Sequence, residues 1–216
     1  RGDCASAATL TARAVVLYEA LRARLPRLPS RALAEQAEYA LRAAPDDAAT
    51  AVALADQALA ALPVIQRQQR ARLAQPLRVL RTRCLLAAGR EPEARDELRT
   101  LADELAGDEA AALRRDADAV VADLYVGLAR MFITQRGPRR APVGVWLTRA
   151  LELRPAHVDA WRWGAWLAAE TGRVENVERV LADAAAAGVA ADELTRVRQR
   201  LAESFPTLRT ALEPRE

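Results

Sequence analysis

The sequence predicts an all-helical fold built from antiparallel hairpins, and three observations carry that expectation. Apolar residues make up 51% of the 216 positions, yet aromatics supply only 4%. Alanine and leucine provide most of the rest, the two strongest apolar helix formers, while β-branched residues are sparse. Apolar residues recur at three- and four-residue steps, and prolines and glycines punctuate the chain at helical lengths. About ten helices joined by short turns are expected, with no credible strand.

The elements read in order as follows. Leu10, Ala14, Leu17, Leu21 and Leu25 form one stripe on a first helix from about Ala7 to Leu25, which Pro26 and Pro29 end. Ser30 is placed to cap a second helix, Arg31 to Ala43. After Pro45, Asp46 and Asp47 stand where a cap and a dipole partner are wanted for a third helix, Ala48 to Leu62. A long helix is expected from Gln66 to Ala88, kinked or divided by Pro76 and closed by Gly89. Glu91 to Leu105 returns, and Glu109 to Gln135 reads as one further helix. Two prolines and a glycine make Arg136 to Pro142 a loop. Helices then follow at Val143 to Leu153, His157 to Glu170, Arg173 to Ala187 and Asp192 to Ser204.

Segments repeat. Gly89 and Gly172 each end a helix, with Ala94 or Val177 five positions on and Leu98 or Leu181 four beyond that. Val143, Leu147, Ala150 and Pro155 carry the same second-helix pattern, as do Ala51, Ala55, Ala58 and Pro63. From Val158 to Ala191, Trp161 stands at a large first-helix position, Gly164 and Ala165 at small ones, Gly172 at the turn, and Val177, Leu181 and Ala184 along the second helix. This pattern resembles the tetratricopeptide (TPR) repeat superfamily, with looser copies near Ala32 to Ile65 and Gln75 to Asp108. The resemblance covers about three quarters of the chain and implies a TPR-like α-solenoid of stacked hairpins, a single domain over residues 1–216. About four divergent repeats would span 31–191, with a capping helix at 7–30 and a C-terminal cap and tail at 192–216. First helices would line a concave groove. The function implied is that of a non-catalytic adaptor or structural subunit that holds other proteins.

The chemistry is mostly that of arginine, since no lysine occurs. Asp56 and Glu91 bracket a stretch without any acid that holds Arg67, Arg70, Arg72, Arg78, Arg81, Arg83 and Arg90, and acids dominate from Glu91 to Asp123. Either neighbouring helices pair these charges, or part of the row, Arg78 and Arg81 foremost, receives an acidic partner segment. Trp163 and Trp166, three apart on one helical face with Arg162 beside them, are candidate interface anchors; the opposing reading is that following helices cover them. Arg136, Arg139 and Arg140 add a basic loop. A second reading has the arginines and tryptophans holding a small anionic ligand or a glycan.

Other chemistry finds little support. His157 is the only histidine, which leaves no histidine metal site, and it is read as a helix cap or an exposed residue. No phosphate loop, dinucleotide fingerprint or nucleophile elbow is present, so no cofactor and no enzyme is expected. Glu203-Ser204 is similar to the catalytic dipeptide of lytic transglycosylases, but that family's further motifs are missing. A net charge of +3 is too small for a nucleic-acid partner. No apolar stretch reaches membrane-spanning length. The chain opens on Arg1, which favours a periplasmic or cell-envelope setting over the cytoplasm, as after removal of an export signal. In such a setting Cys4 and Cys84 could pair; two free thiols are the equal alternative.

Overall fold

The computed structural model describes residues 28–63, 67–104, 111, 116–134 and 141–212. Those residues form ten α-helices and two short 3-10 turns, with no strand among them. The all-helical class read from composition and periodicity is the class of the structure. The chain divides into two compact units, Arg1–Ala117 and Asp118–Glu216.

In the first unit, α1 (Leu28–Ala43) leads through a 3-10 turn at Pro45–Asp47 into α2 (Ala48–Ala60), followed by α3 (Arg67–Ala87) and α4 (Glu91–Glu104). Each helix packs on the next, and α1 also touches α3. Leu33, Ala58, Leu62, Ala74 and Leu77 form the core where α1, α2 and α3 meet. Ala37, Ala51, Ala55 and Ala94 are wholly enclosed, so the seams are closed by methyl groups and the helix axes can lie close together.

The second unit holds α5 (Ala117–Thr134, apart from its first residue), α6 (Ala141–Leu153), α7 (Val158–Ala169), α8 (Val174–Ala186), α9 (Ala191–Ser204) and a last turn α10 (Arg209–Leu212). Here too α7 packs on α8, α8 on α9, and α9 returns to α7. Ala165, Ala169, Val177, Leu181, Val197 and Leu201 form their common core. Ala165 is fully enclosed, as its small-residue position requires, whereas a methyl added at Gly164 would meet Val180 at an ordinary 3.7 Å. The tail expected after Ser204 is instead part of this core. A 3-10 turn at Pro206–Leu208 folds α10 back, and Leu208 and Leu212 are buried.

Five local expectations are corrected. Pro76 does not divide α3, which runs unbroken through it. The lost hydrogen bond to the fourth residue back is outweighed by the flanking Ala74 and Leu77, both held in the core. The helix expected over Glu109 to Gln135 is interrupted: Asp116 is not helical and α5 starts at Ala117, since a short carboxylate competes for backbone donors and favours a helix start over a helix interior. Pro142 and Pro29 lie in first turns rather than in loops, where a missing N–H costs nothing, and Ser30 lies inside α1 rather than capping it. Asp47 occupies the cap position of α2 but accepts from the Thr50 hydroxyl at 2.9 Å rather than from a backbone N–H. The expected helix Ala7 to Leu25 lies outside the described residues.

Two helix ends follow one rule. Gly89 (φ 72°) donates to the Leu86 carbonyl at 3.1 Å while Arg90 donates to Leu85 at 2.8 Å. Gly188 (φ 89°) and Val189 repeat this on Ala185 and Ala184, both at 3.0 Å. This is the paired closure that satisfies the last carbonyls of a helix and needs a left-handed residue. No atom crowds a methyl group at Gly89, so the backbone conformation alone sets the cost of replacing it. Gly89→Ala is expected to lower stability by about 1–2 kcal/mol in a denaturant titration, with the unfolding slope unchanged.

Candidate functional site

Two arginines of the α3 row are answered inside their own unit. Arg78 and Arg81 stand three residues apart and so share a face of the helix. Glu97 on α4, only 8% exposed, takes one from each oxygen: Arg78 Nη1 donates to Oε1 at 2.6 Å and Arg81 Nη1 to Oε2 at 2.5 Å. Arg81 Nε also donates to Asp56 on α2 at 2.5 Å, so a single chain of charge ties α2, α3 and α4 together. Burial draws down the Arg81 pKa, but the bonds and charges of Asp56 and Glu97 outweigh it and hold the guanidinium above its ordinary value. Within the network Thr82, also buried, donates its hydroxyl to the Arg78 carbonyl at 2.8 Å. Neighbouring helices therefore pair the two candidate arginines of this row. Arg136, Arg139 and Arg140 lie outside the described residues.

Cys84 lies on the same helix and is wholly enclosed as a free thiol. Burial pushes its pKa up to about 12, with Glu38 and Asp56 adding to the shift and Arg83 opposing it. Cys4, its possible partner, lies outside the described residues.

The tryptophans are sorted by the start of α7. His157 caps that helix: its Nδ1 accepts from the Ala160 N–H at 3.4 Å, which leaves the ring proton on Nε2 to face Asp123 of α5 at 2.9 Å. The capping reading holds, but exposure does not, for His157 is buried. Trp161 donates its indole N–H to the Pro155 carbonyl at 2.7 Å and fixes the preceding turn. Trp146 is buried on α6 against Phe132, ring centres 5.2 Å apart.

The candidate pair has two environments. Trp166 packs on the α7–α9 core and meets Phe205 edge-on at 4.9 Å. Trp163, half-buried, lies 5.9 Å from Trp166 and has the Arg162 guanidinium 5.3 Å above its ring. Arg162 is steadied by Asp159 at 3.1 Å. The indole N–H of Trp163 is enclosed and finds no acceptor. Trp163 and Arg162 thus form a cation–aromatic pair resting on Trp166, which is itself anchored in the core.

Sequence reasoning missed the residues that answer the arginines. Glu97 is the decisive one, and its signal was the acid-rich run immediately after an acid-free helix. Glu203 and Ser204 are exposed at the end of α9. Among the described residues no group of histidine, cysteine and carboxylate side chains could hold a metal ion, and no helix is long and apolar enough to cross a membrane. Comparison with protein-family models, curated proteins and solved structures finds no match.

Two tests follow from the charge network and its neighbour. Glu97→Gln leaves Arg78 and Arg81 without their shared carboxylate. The loss should be roughly 2 kcal/mol in chemical denaturation, between the value of an exposed pair and that of a fully buried one. Asp56→Asn, at the half-exposed end, should cost less than about 1 kcal/mol. In a Cys4→Ser chain at pH 8, Cys84 should resist a thiol reagent until the protein is unfolded. Its raised folded pKa works against stability at high pH: between 9.0 and about 12 the unfolded thiol ionises first, so stability falls as pH rises through that window.

Proposed function

We propose that this chain is a non-catalytic helical-repeat adaptor, a subunit that holds other proteins within a larger assembly. The observation that supports this reading best is the Arg162–Trp163 pair on α7, half-buried and resting on Trp166. Tryptophan and arginine are the residues most enriched where binding energy concentrates, because a flat ring and a planar cation bring large contact area with few rotamers to freeze. The platform is also held firmly, since Trp166 is pinned by Phe205 and Arg162 by Asp159. Within the first unit α1 to α4 pack each on the next and α1 on α3, and within the second α6 to α9 do so with α7 on α9; this accords with stacked hairpins and so with the TPR-like reading. His157, the residue any histidine-dependent hydrolysis would need, is occupied at both ring nitrogens by its cap and by Asp123.

The reading is tested by separating Trp163 from Trp166. Trp163→Ala should keep helix content and melt close to the parent, while a protein partner captured in near-stoichiometric amount by the parent is lost. Trp166→Ala removes core packing and should cost about 3 kcal/mol of stability. Purification of the tagged full chain followed by mass spectrometry decides the matter. A small ligand co-purifying with no protein partner would overturn the adaptor in favour of a ligand-binding solenoid.

A further inference from the structure

The segment after α9 is attached to the second unit differently from the helices before it. Phe205, Leu208 and Leu212 stand at i, i+3 and i+7, and all three pack into the common core of α7, α8 and α9, the two leucines buried there. Between them Pro206, Thr207, Arg209, Thr210 and Ala211 are all exposed. The Phe205 N–H closes the end of α9 on the Leu201 carbonyl at 2.8 Å, while the Leu208 N–H bonds to Phe205 itself at 2.9 Å. Among the described residues no side-chain hydrogen bond or ion pair ties residues 206–212 to the helices beneath. Apolar anchors alone hold the segment down.

By contrast α9 is secured twice. Val197, Leu201 and Ala202 are buried in the same core, and Arg198 reaches across to Glu178 of α8, its Nε donating at 3.3 Å. A short segment that buries three side chains and makes no cross-helix polar contact opens at lower cost than a helix that has both. Its opening has one effect beyond itself. Phe205 meets the Trp166 ring edge-on at 4.9 Å, and Trp166 lies 5.9 Å from Trp163. When Phe205 leaves, Trp166 loses that cover.

We propose that residues 205–212 form a strap that opens as a unit while α9 stays folded, and that its closure withholds Trp166 from the partner-binding platform. Closed, the platform is Trp163 with the Arg162 guanidinium over its ring. Open, it gains a second indole beside the first. A partner that places an apolar side chain where Phe205 lies competes with the chain's own segment, so the strap is an autoinhibitory contact that sets how much of the platform is available. This inference rests on the adaptor reading for the use of the platform, and it adds the regulation of that same site.

The test uses the full chain. Residue-resolved hydrogen exchange should show protection at the Leu208 amide at least about tenfold below that at Val197 and Leu201, because the strap opens without α9. Equal protection overturns the proposal. Leu208→Ser combined with Leu212→Ser removes both buried anchors and should release the strap. Tryptophan emission should then shift to the red and acrylamide quenching should rise, while the far-ultraviolet helix signal falls by no more than the α10 turn. Most of that change should vanish in a Trp166→Phe background, which assigns it to Trp166. A double variant that emits and quenches like the parent, or a change that persists without Trp166, overturns the proposal. Should the double variant fail to fold, Leu212→Ser alone is read against the same outcomes. Strap opening by these measures in a chain that captures no protein partner overturns the adaptor and leaves the strap. Partner capture lost on Trp163→Ala, together with equal exchange protection at Leu208 and Leu201, overturns the strap and leaves the adaptor.

Discussion

Close approach of helices over alanine is the constraint from which the rest of this structure follows. Ala37, Ala51, Ala55, Ala58, Ala94, Ala122, Ala129, Ala150, Ala160, Ala165 and Ala184 are wholly enclosed, and they recur in both units. A methyl group removes little surface from water, roughly 1 kcal/mol or less of transfer energy, so no single contact is decisive. What alanine supplies is proximity. Near helices place the larger residues around the seam, such as Leu41, Leu85 and Leu201, in continuous contact, and dispersion accumulates over many atoms. The same proximity explains why so few aromatics suffice.

Proximity also decides which charges matter. Three arginines of the second unit pair with acids three or four residues away on their own helix: Arg149 with Glu152, Arg162 with Asp159, and Arg196 with Asp192 and Glu193. Such pairs contribute a few tenths of a kcal/mol at most. The pairs that cross between helices act differently. Asp56–Arg81–Glu97–Arg78 spans α2 to α4, and Glu178 with Arg198 spans α8 to α9. An alanine seam would slide by a turn at little cost, because one methyl resembles the next. A guanidinium seated on a half-enclosed carboxylate would not, and these cross-links specify which turn faces which.

Helix type and most boundaries were legible from periodicity and from glycine and proline, because those signals are local. Gly89, Gly172 and Gly188 all have positive φ, as a chain reversal after a helix demands. The misreadings share one physical origin. Pro76, Pro142, Pro29 and Asp116 are residues whose local effect depends on where a helix begins or on what is buried beside it, and neither is written at the residue itself. The site was legible in kind rather than in detail. A period of three placed Trp163 beside Trp166, but that only one of them is pinned by Phe205, far along the chain, is a long-range fact. Likewise the charge pattern offered pairing of the α3 arginines by neighbouring helices as one of two readings, without saying that Glu97 would take both Arg78 and Arg81.

The placement of the indoles has an optical consequence. Trp146, Trp161, Trp163 and Trp166 all belong to the unit from Asp118 onward, and the unit before it contains no tryptophan. Intrinsic emission excited at the red edge of protein absorption therefore watches one unit alone, whereas ellipticity in the peptide band sums over both. The protein carries its own one-sided reporter. Superimposable melting curves from the two signals would mean that the units lose structure together, and displaced curves would time the loss of each without any label being attached.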